Sequence, residues 1–252
     1  MFEWLRELAS TQEAGSTLPA RPRSWPDTIP APDMKRTPMT QPPPHTDATT
    51  DRELDETVKL AHEWGQLKML PRTGWLRAGI EHPESVAEHA LRAAMVAWML
   101  AGLEGADPEH AATMALFHDS QETRTTDLDY VARRYLHAIS NEQITADQTA
   151  ALPRPLASLL RGLVAEYEGR GSVEAECARD ADKLEMLLQA LDYRAHGHRN
   201  TEPFMETALA ALRTPSARRL GEAAVTIDPT AWWRAFAHAV APADPPGNGN
   251  GS

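Results

Sequence analysis

The strongest constraint on how this chain can fold is the spacing of its apolar residues, which recur at three- and four-residue steps with no useful run of strand-like alternation. Leu54, Val58, Leu60, Ala61, Trp64, Leu67 and Leu70 form one helical stripe, and Pro71 ends it. After Pro83, Ser85 and Glu88 have capping-box spacing, which predicts a helix through Val86, Ala90, Ala93, Ala94, Ala97 and Met99 with His89 in its first turns. Asp107 followed by Pro108 is a cap with proline at the first helical position, so a third helix is predicted through Ala112, Met114, Ala115 and Leu116 into His118 and Asp119. Residues 123–129 are polar and predict a loop. Further helices are predicted over 153–167 and 172–195, the latter with Cys177, Ala181, Leu184, Leu187, Leu188 and Leu191 on one side, and near 203–212 and 229–240. With no internal repeat, the expectation is an all-α bundle.

The flanks cannot build a core. Residues 1–50 are expected to be a disordered arm, rich in proline in PARPRSWPDTIPAPD and QPPPH, with a frayed or short amphipathic turn at Phe2, Trp4, Leu5 and Leu8. Residues 242–252 are expected to be a disordered tail, which leaves one domain over 51–241.

Charge narrows the partners. With 25 basic and 36 acidic residues, a net charge of -11, the chain repels polymeric nucleic acid, whereas a metal ion and one or two arginines can still hold a small phosphorylated ligand. The single cysteine, Cys177, rules out an internal disulfide and a thiol-held structural zinc, and fits a reducing cytoplasm. The amino terminus has no basic flank before an apolar run, and the longest apolar stretch, residues 93–102, is about half a bilayer crossing, so neither export nor membrane insertion is expected.

His118 and Asp119 are adjacent on an apolar helix, where an unpartnered carboxylate suffers a large desolvation penalty that a cation would remove. Imidazole with carboxylate suits Mn, Co, Fe, Zn or Mg, and His89 and Asp182, each on another apolar helix, are the candidates to complete the set. The competing reading is that each is an ordinary polar residue. Glu122 lies four residues after His118, and on a continuing helix it would share a face with that ligand and act as general acid/base. Arg72 is a candidate phosphate fork, with a surface arginine after a helix stop as its alternative.

Three ordered blocks, GQLKMLPRTGW with PESVAEH, ALFHDSQET with TDL, and DADKLEMLLQALDY, carry a resemblance. Over about residues 53–195 the chain resembles the HD-domain superfamily of metal-dependent phosphohydrolases, most closely its 5'-deoxynucleotidase branch. The resemblance implies a compact multi-helix HD bundle with one divalent ion held by His89, His118, Asp119 and Asp182. Asp180 competes, but Asp182 directly precedes KLEM as the family's ligand does, and Asp180 lies about 200° around the helix from it. Asp127 matches a second acidic position, for proton transfer or sugar contact, and Thr126 stands where the family usually has glycine. The resemblance also suggests Trp75 as a base-stacking residue, with a core role as its alternative, and Arg77 and Lys183 as further basic candidates. His62, His82, His110, His137, His196 and His198 fall outside the motif positions.

By resemblance the substrate is a deoxynucleoside 5'-monophosphate, hydrolysed to nucleoside and phosphate by a cytoplasmic homodimer with no membrane or polymeric nucleic-acid partner. Two readings compete with this one. A di-iron oxygenase needs two more ligands, for which His137 is a stray candidate, and a non-catalytic nucleotide-binding protein needs no Glu122.

Overall fold

Three helices carry the middle of the molecule, and each is started by the local chemistry that its sequence announces. In the computed structural model, which describes residues 49–136 and 139–239, all described residues belong to one compact unit. The expected arm over residues 1–48 with its turn at Phe2, Trp4, Leu5 and Leu8, the tail over 242–252, and His137 lie outside the described residues. The helices are α1 (Asp51–Gly65), α2 (Gly74–Arg77), α3 (Val86–Glu104), α4 (Pro108–Phe117), α5 (Glu122–Thr125), α6 (Ala132–Tyr135), α7 (Asn141–Gln148), α8 (Arg154–Gly169), α9 (Val173–Ala195), α10 (Glu202–Ala211), α11 (Pro215–Thr226) and α12 (Ala231–Ala239). Among the described residues the β-type pairing is a single bridge between Pro71 and Ser85.

α3 begins at a complete capping box, in which the Ser85 side chain accepts from the Glu88 amide and the Glu88 carboxylate accepts from the Ser85 amide. α4 begins at Asp107, whose carboxylate accepts from the Glu109 and His110 amides ahead of Pro108. α9 begins at Ser172, which accepts from Ala175. These three pack on one another through small side chains: Ala90, Ala93, Ala97 and Ala101 of α3, Ala111 and Ala115 of α4, and Ala175, Ala178, Ala181 and Ala190 of α9 are buried, so the backbones approach closely. Val96, Leu100, Met114, Leu184, Leu187 and the free Cys177 thiol fill the space between them. α10 and α11 cover the far side of α9, and α8 packs on α4, α7 and α9.

Several expectations need correction. The stripe on α1 does not enter the main core: Leu60 alone is buried, in a small cluster with Leu152 and Ala157, while Leu54 and Val58 are exposed. Met99 of α3 and Leu116 of α4 also face outward. The segment predicted as a loop over 123–129 opens inside α5 and becomes extended only after Thr125. α1 begins at Asp51, where Thr50 caps it with its own capping box. α3 is long and apolar enough to cross a membrane by length and composition alone, yet its inner face is core, packed on α4 and α9.

Candidate metal centre

The chain positions the site by pinning an irregular segment to the start of α3. The Arg72 amide donates to the Glu84 carbonyl at 2.9 Å and the Val86 amide to the Leu70 carbonyl at 2.8 Å, around the Pro71–Ser85 bridge. This brings Arg72 beside His89, which lies one turn into α3 and is fully buried. His118 is the C-cap of α4, where its Nδ1 lies 2.6 Å from the Ala115 carbonyl oxygen. A carbonyl can only accept, so Nδ1 carries the proton and Nε2 keeps its lone pair. The His89 Nδ1 is likewise engaged by the Glu185 carboxylate.

Both free Nε2 atoms point at one spot, 3.4 Å apart. Asp182 Oδ1 lies 3.3 Å from the His89 Nε2 and 3.8 Å from that of His118, and Asp119 Oδ2 lies 3.7 Å and 3.1 Å from the same two atoms. Donors about 2.1 Å from one ion stand about 3.0–3.4 Å apart in octahedral or tetrahedral arrangement. His89, His118 and Asp182 bring one donor atom each within 4.8 Å of one another, close to that spacing, and Asp119 lies against both imidazoles while it is also held by Arg72. Four electron-rich atoms facing one another in a buried site would otherwise repel, which is the chemical reason to expect a cation there. Burial and the Arg72 charge push the His89 imidazolium down, but Asp182 and Glu185 outweigh them and bring it up to about 9, so without an ion Nε2 carries a proton toward Asp182 that a bound cation would replace. Burial would raise Asp119 and Asp182, yet His118 and Arg72 hold the first, and Lys183 and His89 the second, below the usual carboxylate range. Asp180, the competing carboxylate, points away and accepts from the Arg213 and Thr214 amides at the start of α11.

Arg72 reaches into the same ring, with Nη1 3.2 Å from Asp119 and 3.7 Å from Asp127, and Nη2 4.0 Å from Asp182. The α4 helix does not continue to Glu122. It ends at Phe117, turns through a Ser120 to Phe117 bond of 3.1 Å and a Glu122 to Asp119 bond of 3.1 Å, and rewinds as α5. Glu122 is only 8% exposed, and its Oε2 has no hydrogen-bond partner among the described residues. Burial, then the Asp119 and Asp127 charges, push its carboxyl up to about 10.

Asp127 is committed to the Arg72 segment: one of its oxygens accepts from the Thr73 amide and hydroxyl, and its carbonyl accepts from that hydroxyl at 2.8 Å. Thr126 has φ 61° and ψ 166°, a region that glycine enters freely and threonine only under strain.

Trp75 takes the second of its two expected roles. It is 2% exposed, its indole N–H donates to Glu84 at 2.9 Å, Phe204 lies against it with ring centroids 4.6 Å apart, and Tyr193 meets it edge-on, so it is a core residue and not a free base-stacking surface. Arg77 also turns aside, pairing with Asp129 at 3.0 Å, whereas Lys183 bonds Asp182 at 2.9 Å on the rim of the site. His110 pairs with Glu166 and His196 with its own helix, as ordinary residues do. The metal candidates, Arg72, Glu122 and Asp127 border a cavity of about 850 Å³, apart from His89, which lies behind its wall. Sequence reasoning missed the cavity's other cations, Arg133 and Arg179, and its aromatic wall at Tyr130 and Phe204, none of which lies in a recognisable pattern.

A family described as an HD domain matches residues 64–223. Among relatives, the 5'-deoxynucleotidase HDDC2 of Bos taurus is 36% identical over 132 residues, 51% of this chain and 63% of its own. The Homo sapiens 5'-deoxynucleotidase HDDC2 is 33% identical over 138 residues, covering 54% and 67%. The match thus spans a little under two thirds of the bovine relative's length. A solved structure of a conserved hypothetical protein from Pyrococcus furiosus is 30% identical with a TM-score of 0.56, covering 68% of this chain and 99% of the other.

Proposed function

This chain belongs to the HD-domain family, and on that premise we propose that it is a metal-dependent phosphomonoesterase that removes the 5'-phosphate of a deoxynucleoside monophosphate. One observation carries the reading: His89, His118 and Asp182 bring donor atoms within 4.8 Å of one another, Asp119 lies against both imidazoles, the Arg72 guanidinium sits beside them and Glu122 is buried in the same cavity wall. The 5'-deoxynucleotidase relatives supply the substrate class.

Those four residues would hold the ion, and two imidazoles with two carboxylates suit Mn, Fe, Co or Zn better than Mg. A divalent ion there supplies Lewis-acid polarisation of a phosphoryl oxygen and lowers the pKa of a nearby water. Arg72 receives the phosphate: its forked guanidinium exchanges part of its carboxylate contacts for two phosphoryl oxygens and offsets the charge that grows on them. Asp127 holds the backbone of the Arg72 loop in place through Thr73. Burial and the Asp119 and Asp127 charges keep Glu122 protonated until a divalent cation held by the neighbouring ligands offsets those charges. The ionised Glu122 then moves the protons, taking one from the attacking water and returning one to the leaving 5'-oxygen as the P–O bond breaks, so the products are a nucleoside and inorganic phosphate. A cytoplasmic homodimer belongs to the same proposal, supported by the lone buried thiol and by Leu91, Met95, Trp98, Met99 and Leu103, about half exposed on the outer side of α3.

The test is phosphate release by metal-loaded protein from nucleoside mono-, di- and triphosphates, cyclic nucleotides and sugar phosphates. Deoxynucleoside monophosphates should turn over. Asp119→Ala should lose metal and activity together, and Glu122→Gln should keep metal while turnover falls about 100-fold or more. Equal activity in wild type and Asp119→Ala would sink the proposal, and no release from any phosphate under several metals would favour a binding protein without catalysis.

A further inference from the structure

We infer that Glu185, braced by Arg92, is a positioning residue that fixes the ring orientation and tautomer of His89 and so sets how tightly the metal centre binds its ion; this rests on the functional reading above and deepens it. Histidine offers two nitrogens, and only one of the His89 nitrogens faces the other donors, the Nε2 3.3 Å from Asp182. The other, Nδ1, meets Glu185 Oε2 in a fully buried contact. An ionised carboxylate can only accept, so this contact places the ring proton on Nδ1 and leaves the Nε2 lone pair turned toward Asp182, Asp119 and His118.

A buried carboxylate needs a counter-charge, and Arg92 provides it. The guanidinium grips Glu185 Oε1 from Nε at 2.9 Å and from Nη2 at 2.7 Å, while Nη1 reaches Asp192 at 2.8 Å and Nη2 also donates to Gln189. The helical spacing makes this a reciprocal lock. Arg92 lies three residues beyond His89 on α3, and Glu185 lies three residues beyond Asp182 on α9, so each helix presents one metal candidate and one bracing group from the same side.

A rival reading exists, because Glu84, His89 and Glu185 also present ligand atoms within 4.8 Å of one another and could be taken for a second ion site. The available charges are already used. Glu185 is neutralised by Arg92, and Glu84 accepts the Trp75 indole N–H at 2.9 Å, so the cluster is a support for His89 rather than a cage.

The experiment is Co²⁺ titration of the metal-stripped full chain by calorimetry, with ion stoichiometry from equilibrium dialysis and ring ¹⁵N spectra of the Zn²⁺-loaded protein. Wild type should bind one Co²⁺ per chain, with the His89 proton on Nδ1. Glu185→Gln keeps an acceptor oxygen but loses the charge, and should weaken Co²⁺ binding about 10-fold; Glu185→Ala should approach about 100-fold. Should the alanine variant not fold, Glu185→Gln and the wild-type ring spectrum decide the matter. Unchanged Co²⁺ affinity in Glu185→Gln, two ions per chain, or coordination through Nδ1 would each overturn the inference while leaving the proposed reaction standing. Wild type that binds no Co²⁺ would overturn both.

Discussion

Glu122 is held where a carboxylate is least at ease, buried between the Asp119 and Asp127 charges with one oxygen unpartnered. Its folded value of about 10 lies above the ordinary 4.5, so between those two values the unfolded chain gives up a proton that the folded chain keeps. Stability from this group is therefore full below pH 4.5 and is lost as pH rises toward 10. Melting curves of metal-free protein should show it: wild type should lose stability between about pH 5 and pH 9, and Glu122→Gln should lose less. An identical pH slope in the two proteins would contradict the burial argument. The His118–Asp119 pair was legible because two polar residues break an apolar helix, and Asp182 was separable from Asp180 by its place before KLEM, with helical phase setting the two carboxylates on different faces. The role of Trp75 stays open in the sequence between base stacking and core, since periodicity cannot reveal that Phe204 and Tyr193 occupy its ring. Glu185 and Arg92 were equally invisible, being 93 positions apart in the chain.

At the scale of elements, the rim helix α1 is fastened to the site-bearing turn through one side chain. Glu63 accepts from Arg124 of α5 at 2.8 Å and 2.9 Å, from Thr123 at 2.9 Å and from Gln148 of α7 at 2.7 Å. The Arg124 bond, helped by Gln148 and Thr123 against a burial cost, lowers its carboxyl to about 2. A depressed value means the group stabilises the fold above its ordinary 4.5 and that this contribution disappears as pH falls toward 2. Glu63→Gln should therefore flatten the acid limb of the stability curve in that window, read by circular dichroism melts; an unaltered limb would show that α1 is fastened by something else. Helix starts were the most readable elements, because Ser85 with Glu88 and Asp107 with Pro108 are local chemistry. α11 has a comparable start in Thr214 and Pro215, but the run that follows is broken by arginines and a glycine, and it escaped prediction. The outward side of α1 was misjudged for the opposite reason: its apolar spacing is genuine, but among the described residues no element lies over its first turns.

In the whole molecule, the four metal candidates come from the three central helices or their immediate ends, so an ion there would cross-link α3, α4 and α9 in addition to serving chemistry. A ligand at 100 times its dissociation constant adds about 2.7 kcal/mol to stability. For a chain of this size that is a rise of about 5–10 °C in melting temperature on adding Co²⁺, reversed by a chelator. Asp119→Ala should show no such rise, and a full rise in that variant would place the ion elsewhere. The all-helical architecture was legible as a whole from apolar spacing, whereas the cavity wall was not, because Phe204 joins Tyr130 and Arg133 only by tertiary packing. Between the same three helices sits the one thiol of the chain, Cys177, fully enclosed and pushed up to about 12 by burial and neighbouring acidic groups. It is both unreachable and protonated while the bundle is closed. An alkylating reagent can therefore modify it only in molecules whose centre has come apart, which gives the protein an internal stopwatch: the labelling rate, with and without an ion, counts how often the bundle opens.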